Sequence, residues 1–133
     1  YYDLLIGHDI ALFPSYYEPW GYTPLESSAF SVPTITTDLA GYGIWVNSVL
    51  NRYGELHDGV KVVHRDDTNY QQAVSDIKNT IAGWIRMTPA QKNRSRKAAG
   101  TMARKALWKH FIKFYLDAYA FALQKNENNT KLN

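Results

Sequence analysis

The 133-residue chain contains no cysteine and only four histidines. The absence of cysteine excludes disulfide bonds and any zinc or iron–sulfur site with cysteine ligands. The histidines are scattered, without an H-E-x-x-H motif or a close pair, so they do not predict a metal site. We therefore expect a domain that is stabilised by packing rather than by cross-links or metal ligands.

Long apolar runs are also missing. No run approaches the roughly 20 residues of a membrane-spanning helix, and the first residues lack the basic-then-apolar order of a signal peptide. With 45% hydrophobic and 20% charged residues, the chain can bury a core. These features predict one cytoplasmic globular domain. The chain starts at Tyr1 and enters strand-like sequence almost at once, so we interpret it as part of a longer protein.

Acidic residues are absent between Ile77 and Leu116. Residues 1–76 carry ten acidic and three basic side chains, whereas residues 77–133 carry two acidic and twelve basic ones. A basic block with aromatic residues, such as 92–113, is compatible with a nucleic-acid or anionic-membrane surface. A solvated helix face is the more common origin of such a charge run. We expect neither nucleic acid nor membrane as a partner and keep a basic nucleic-acid-binding module as an alternative.

The first part of the chain alternates apolar runs with turn residues. The run 9–13 predicts a buried parallel strand, and 14–22, with two prolines and a glycine, predicts a loop. Thr23 is a favourable N-cap, Pro24 suits the first helical position, and Glu26 completes a capping box. The sequence therefore predicts a strand, a loop and a helix that ends before Pro33.

The rest of the chain continues this pattern and then becomes helical. The predicted elements are strands at 32–37 and 59–63, a glycine-bearing loop at 38–43, a short helix at 44–50, a polar turn at 65–67, helices at 69–87, 89–106 and 108–123, and a polar tail at 126–133. Alternating strands and helices are typical of an α/β domain with a parallel sheet. In such sheets ligands bind beyond the carboxyl ends of the strands, where the loops 14–22 and 38–43 would lie.

Glu18 and Glu26 stand eight positions apart, across this loop and the first helical turn. The backbone N–H groups of Gly21, Tyr22 and Thr23 lie between them and would point out of the helix start. Such groups and the helix dipole favour an anion, and a diphosphate fits there, with the carboxylates accepting hydrogen bonds from sugar hydroxyls. The structural alternative is that Glu26 is only a capping residue and Glu18 a solvated loop acid.

Two stretches of the sequence carry specific motifs. Residues 13–26 read F-P-S-Y-Y-E-P-W-G-Y-T-P-L-E, and residues 32–43 read V-P-T-I-T-T-D-L-A-G-Y-G. Both motifs resemble the animal and fungal glycogen synthases almost residue for residue. D-G-V-K-V-V-H-R at 58–65 resembles a family strand, and Trp108-Lys109 ahead of Tyr115 resembles its C-terminal helix.

The resemblance implies a fold and a reaction. The family has two Rossmann-like lobes (a GT-B fold), and residues 1–125 would be part of the C-terminal, nucleotide-sugar-binding lobe, with 126–133 a disordered polar tail. It implies transfer of glucose from a nucleotide diphosphate glucose, UDP-glucose or ADP-glucose, to the 4-hydroxyl of an α-1,4-glucan. The anomeric configuration is retained, and neither a metal nor another cofactor is used.

The resemblance also assigns site residues. Glu18 matches the catalytic glutamate beside the donor sugar, and Glu26 matches the one that holds the ribose. The remaining donor-site residues are Trp20, Gly21, Tyr22 and Thr23. Family members from eukaryotes have a dense arginine run that binds a regulatory sugar phosphate. The stretch 91–97 is a thinner counterpart, in which Arg94, Arg96 and Lys97 would form a regulatory anion site.

The resemblance leaves two matters outside this sequence. The family's donor-clamping Arg and Lys and its acceptor lobe are not among these residues, so we expect the chain alone to be inactive. We expect the N-terminal lobe to be its partner, and a homo-oligomer is a further expectation.

The second alternative function is that of a non-catalytic glycogen- or starch-binding module, which stacks sugars on Tyr16, Tyr17, Trp20 and Tyr42. Such a module would bind glucan without nucleotide.

Overall fold

A computed structural model describes residues 1–130 of the chain, and side chains are described for residues 1–125. Three parallel strands form one sheet in the order β1-β2-β3, and helices flank it. The bounds are α1 Tyr2–Ile6, β1 Ala11–Leu12, α2 Tyr22–Ala29, β2 Thr34–Thr37, α3 Gly41–Leu50, a 3₁₀ turn Leu56–Asp58, β3 Val60–Val63, α4 Tyr70–Arg86, α5 Pro89–Lys105 and α6 Trp108–Thr130. This arrangement confirms the predicted α/β class, with a Rossmann-like parallel sheet and a helical C-terminus.

The middle strand β2 is the most buried element of the sheet. All four of its residues are buried, and Thr34 pairs with Ala11 of β1 on one side and with Val60 of β3 on the other. The prediction of a buried strand over 9–13 was wrong in two respects, because only Ala11–Leu12 pair and Leu12 is 41% exposed. Within the described residues β1 lies at the edge of the sheet, so fewer neighbours cover it.

Helices bury apolar residues on both faces of the sheet. On one face, Trp84 and Ala73 of α4 pack with Ile35 of β2 and Val63 of β3. The second cluster joins residues of α3, β3 and α5: Tyr42, Val46, Val60, Val62 and Met102. Because side chains alternate along a strand, Val63 and Val62 enter different clusters. The sheet is therefore covered by helices on both of its faces.

Two helix starts differ from the prediction. Gly21, and not Thr23, is the N-cap of α2, with φ 103° in the left-handed region that glycine adopts most easily. The helix therefore begins at Tyr22, Pro24 lies in its third position, and no capping box with Glu26 forms. Near the N-terminus, Tyr2–Ile6 is a short helix, whereas the sequence looked strand-like there.

Helix α3 begins inside the segment that was predicted as a loop. The structure confirms a helix over 44–50 but starts it at Gly41, so 41–43 are helical. Gly41 and Gly43 do not form a turn, and their missing side chains let α3 pack closely against the neighbouring backbone. A Cβ added to Gly41 would lie 2.1 Å from the carbonyl oxygen of Pro19, and one added to Gly43 would lie 2.1 Å from that of Thr37.

The later helices agree with the prediction. Asn69 precedes α4, and Thr88 caps α5 by accepting a hydrogen bond from the Gln91 amide, with the reciprocal bond of a capping box. Helix α6 extends beyond the predicted 108–123 and includes 126–130. Those five residues belong to the segment predicted as a polar tail, whose last three residues, 131–133, lie outside the described residues.

Candidate functional site

Three loops meet beyond the carboxyl ends of the three strands. They are 13–20 after β1, 38–40 after β2 and 64–69 after β3, and we call them the strand-end loops. The first two are joined at Glu18, whose N–H donates to the Leu39 carbonyl over 3.2 Å and whose carbonyl accepts from the Gly41 amide over 3.0 Å. The backbone of Glu18 is therefore fixed against the start of α3.

The Glu18 side chain faces the start of α2. Its Oε2 atom accepts a hydrogen bond from the Ser15 hydroxyl over 3.1 Å and lies 3.4 Å from the place where a Cβ of Gly21 would stand. The side chain is half-buried. The structure therefore brings together two of the predicted site residues, Glu18 and Gly21.

No described side chain caps the N-terminus of α2. The amides of Tyr22 and Thr23 belong to the first turn, where an α-helix provides no acceptor for N–H groups, and Pro24 has no N–H. Tyr22 and Thr23 are exposed, whereas Pro24 is buried. Two amides and the positive end of the helix dipole thus lie beside the Glu18 loop.

Glu26 lies further along the same helix and has a partner of its own. Its Oε2 atom accepts a hydrogen bond from the Tyr1 hydroxyl over 2.8 Å. This hydrogen bond raises the pKa of Tyr1, because the carboxylate disfavours a second negative charge beside it. In this structure the carboxylate of Glu26 is therefore held by the N-terminal residue.

Trp20 is half-buried in an aromatic cluster. Its ring centroid lies 6.0 Å from those of Tyr42 and Trp45 and 6.1 Å from that of Phe111. Burial raises the pKa of Tyr42 to about 12. Trp20 also contributes to a groove of about 380 Å³, which is lined by Trp20, Tyr22, Leu25, Ala106, Trp108, Phe111 and Tyr115. The cluster connects the first strand-end loop with α3 and α6.

Sequence reasoning missed a polar cluster at the ends of β2 and β3. The Asp38 carboxylate lies 2.6 Å from Nδ1 of His64 and accepts hydrogen bonds from the Tyr53 hydroxyl over 2.9 Å and the Arg65 amide over 2.9 Å. Asp38 and His64 each follow the last residue of a strand, and this shared position could have indicated their contact. None of the four histidines had been given a role.

The cluster shifts the pKa values of its members. Partial burial would raise the pKa of Asp38, but hydrogen bonds from His64, the Arg65 amide and Tyr53 outweigh burial and lower it. The hydrogen bond to Asp38 and the negative charge of that carboxylate raise the pKa of His64. The two groups therefore favour each other's charged forms.

The structure separates the three residues of the predicted regulatory anion site. Arg94, Lys97 and Lys105 of α5 line a second groove of about 370 Å³, together with His57 and the acidic Asp58. Arg96 points elsewhere and forms an ion pair with Asp9 over 2.6 Å. Three basic side chains outnumber the one carboxylate, so the groove is basic without Arg96.

Two kinds of feature are missing from the described part of the chain. Among the side chains of residues 1–125, no group of three or more His, Asp or Glu is arranged to hold a metal ion. No helix within residues 1–130 is both long enough and apolar enough to cross a membrane.

Comparison with known proteins gives the family. The family model described as glycogen synthase matches residues 1–131. The chain belongs to the glycogen synthase family. This match covers both glutamates, the start of α2, the strand-end loops and the basic groove. The family resemblance that the two sequence motifs indicated is thereby confirmed, and the match extends beyond the motifs to nearly the whole chain.

The curated relatives are named as glycogen synthases of fungi and animals. Isoform 2 of glycogen [starch] synthase from Saccharomyces cerevisiae is 28% identical over 94% of this chain and 18% of its own length. The Neurospora crassa enzyme is 28% identical over 94% of the chain and 17% of its own length, and the liver enzyme of Mus musculus 26% over 94% and 18%. The chain therefore spans less than a fifth of the length of these family members.

Proposed function

We propose that this chain is the donor-binding part of a glycogen synthase. In this proposal the complete enzyme is a retaining glucosyltransferase that moves glucose from UDP-glucose or ADP-glucose to the 4-hydroxyl end of an α-1,4-glucan. One observation carries the proposal: the Glu18 carboxylate stands beside the N-terminus of α2, which no described side chain caps, beyond the carboxyl ends of the strands. Family membership supports the same reaction.

The chemistry follows from the charges that the reaction develops. The diphosphate leaves with negative charge, which the amides of Tyr22 and Thr23 and the helix dipole stabilise without a metal. The sugar passes through a positively charged, oxocarbenium-like state, which the Glu18 carboxylate stabilises. Gly21 lets the phosphate approach the backbone, and Glu26 exchanges its hydrogen bond from Tyr1 for the ribose hydroxyls.

Trp20 has a supporting role in this proposal. Its ring is half-buried among Tyr42, Trp45 and Phe111. We infer that it shapes the loop between Glu18 and Gly21 by packing. The donor would then contact the backbone of this loop more than the indole ring.

Several features of the whole enzyme belong to the same proposal. We infer a second Rossmann-like lobe that carries the acceptor site, a GT-B arrangement, assembly into a homo-oligomer and a cytoplasmic location. Without the second lobe the 133 residues would bind the donor but would not transfer glucose. The small share of the relatives that the chain spans supports this division.

The test is an NMR titration of the ¹⁵N-labelled chain with UDP, ADP and their glucose conjugates. We expect the amides of Gly21, Tyr22 and Thr23 to shift with the nucleotides and a Glu26→Ala variant to lose most of the response. Asp117→Asn, on the exposed part of α6, is the matched control and should respond as the wild type does. The preferred base follows from the relative affinities for UDP and ADP.

The same titration separates the alternative functions. If maltooligosaccharide shifts the amide signals of residues around Tyr16 and Trp20 and nucleotides shift none, the chain is a glucan-binding module instead. A response to duplex DNA that falls steeply with salt would show a nucleic-acid-binding module. No response to any nucleotide would contradict donor binding by this chain.

We also propose that the basic groove of α5 binds a phosphorylated regulator. Arg94, Lys97 and Lys105 line it beside the one carboxylate of Asp58, so a phosphate group would meet three positive charges and one negative charge. Titration with glucose 6-phosphate should shift the amides around Arg94 and Lys97, and the Arg94→Ala variant should weaken this binding. Arg96→Ala is the control, because Arg96 pairs with Asp9. Equal losses in both variants would contradict this assignment.

A further inference from the structure

Each of residues 14–16, which precede Glu18, accepts a hydrogen bond from, or donates one to, a residue at the end of β2 or in the loop after β3. The Pro14 carbonyl accepts a hydrogen bond from Nη1 of Arg65. The Ser15 carbonyl accepts one from the Thr37 hydroxyl over 2.7 Å. The Tyr16 hydroxyl donates to Asp67. The loop that carries Glu18 is therefore attached to the ends of β2 and β3 at three consecutive residues.

Arg65 makes two of the contacts on this segment. Besides its bond to Pro14, its guanidinium carbon lies 4.6 Å from the centre of the Tyr16 ring, in a cation–π contact. Lysine does not reproduce this arrangement, because only the planar guanidinium can stack on a ring and donate sideways at the same time. Arg65 thus contacts both neighbours of Ser15, the residue that donates to the Glu18 carboxylate.

The backbone of Arg65 is itself fixed by Asp38. Its amide donates to Asp38 over 2.9 Å, and Asp38 is further fixed by His64 and Tyr53. The Nε atom of Arg65 is buried and has no hydrogen-bond partner among the described residues. An unpaired buried donor costs free energy. The side chain therefore keeps its position through its other contacts, despite this cost.

We propose that Arg65 is a positioning residue that sets the place of the Glu18 carboxylate. It acts through Pro14, Tyr16 and Ser15, and among the described residues its hydrogen bonds and its cation–π contact involve neither Gly21 nor the first residues of α2. This inference rests on the proposed function, because it assigns Glu18 to the reacting sugar and the α2 amides to the diphosphate. Since a displacement of about 1 Å can reduce catalysis about 100-fold, loss of Arg65 should affect turnover more than donor binding.

The experiment compares Arg65→Met and Arg65→Lys in a glucosyl-transfer assay, with the longer polypeptide that contains this chain. Methionine keeps much of the apolar stem and removes the charge and the donors. We expect kcat of Arg65→Met to fall roughly 10- to 100-fold while KM for the donor stays within about twofold. Arg65→Lys should recover part of kcat, because an ammonium group can still reach the Pro14 carbonyl.

A matched control and a second readout separate positioning from loss of structure. Arg86→Met is the control, because Arg86 is exposed on α4 and bonds only its own helix, to the Ala82 carbonyl over 3.1 Å. In the 133-residue chain, Arg65→Met should shift the amides of Ser15 and Glu18, while nucleotides still shift those of Gly21 and Tyr22. A Thr37→Val variant, which removes the bond to the Ser15 carbonyl, should lower kcat in the same way.

Each outcome decides a different point. An active wild type with unchanged kcat in Arg65→Met overturns the positioning role alone. Equal changes in kcat and KM, or loss of the nucleotide response of Gly21, show a general structural role and also overturn it. A wild type that neither binds nucleotide nor transfers glucose overturns the proposed function, and the inference with it.

Discussion

Gly41 lies so close to Pro19 that a Cβ on Gly41 would stand 2.1 Å from the Pro19 carbonyl oxygen. The contact places the first turn of α3 directly against the loop between Glu18 and Gly21. We expect Gly41→Ala to push this loop away and to destabilise the chain by about 1–3 kcal/mol, as overpacking does. Urea unfolding measures the loss, and weaker binding of UDP should accompany it.

Gly83→Ala is the control for that substitution. Gly83 lies inside α4, and apart from its two chain neighbours and the backbone of its own helix no described atom lies within 4 Å of the Cβ that would be added. Alanine is the better helix former, so this variant should gain about 0.5–1 kcal/mol. If Gly41→Ala were as stable as the wild type, the packing of the loop on α3 would not be as close as described.

The pair of His64 and Asp38 predicts a dependence of stability on pH. The folded-state pKa of His64 is raised, so its contribution is complete below the unfolded value near 6.5 and is lost as the pH rises through the folded value. The folded-state pKa of Asp38 is lowered, so its contribution is lost as the pH falls through that value. The stabilisation should therefore be greatest in mildly acidic solution.

Urea unfolding of wild type and His64→Gln at two pH values measures this effect. The difference in the free energy of unfolding should be larger at about pH 5.5 than at about pH 8.5, because the imidazole is charged at low pH and loses its charge as the pH rises. His110→Gln, on the exposed surface of α6, is the control and should show no comparable change. A difference that grew with pH would contradict the assigned ion pair.

Trp84 anchors α4 to the sheet. It is 3% exposed and belongs to the cluster of Ile35 and Val63. Trp84→Ala should cost about 3–5 kcal/mol of unfolding free energy, because it leaves a cavity in the core. Its neighbour Ile85 is 70% exposed, and Ile85→Ala should stay within about 0.5 kcal/mol of the wild type. Thermal or urea unfolding of both variants tests this difference.

Phe111 connects α6 to the rest of the fold. Its ring lies 6.1 Å from those of both Trp20 and Trp45, whereas Phe114, one turn later, is 58% exposed. Phe111→Ala should cost about 1–2 kcal/mol, since burial of a whole phenylalanine contributes ~1.5–3 kcal/mol and this ring is half-buried. Tryptophan emission should shift to the red in that variant. Phe114→Ala should change neither property.

Local signals in the sequence predicted the helices and strands that have strong patterns. The helices predicted at 69–87 and 89–106 match α4 and α5 nearly to the residue, because the apolar spacing from Ala73 to Trp84 and the Thr88-Pro89 start are local features of the sequence. The β-branched run of β2 was equally clear. The starts of α2 and α3 were not, because they depend on long-range contacts, such as that between Gly41 and Pro19, that no local pattern records.

The candidate site was predicted where one continuous motif contains its residues. Glu18 and Gly21 share a loop, and the structure brings them together. The contacts of Arg65 with Pro14 and of His64 with Asp38 join segments far apart in the chain, so they require the register of the sheet. Arg96 lies close in sequence to Arg94 and Lys97 but is separated from them in space, because residues two or three positions apart on a helix can point in different directions.

The order of the strands has a consequence for how the molecule is made. β1, β2 and β3 lie in space in the same order as in the sequence, so that β1 pairs with β2 and β2 pairs with β3. Among these three strands of the described residues, none has to be inserted between two that are already paired. The sheet can therefore grow strand by strand as the chain leaves the ribosome, and the strand-end loops come together only when β3 has joined.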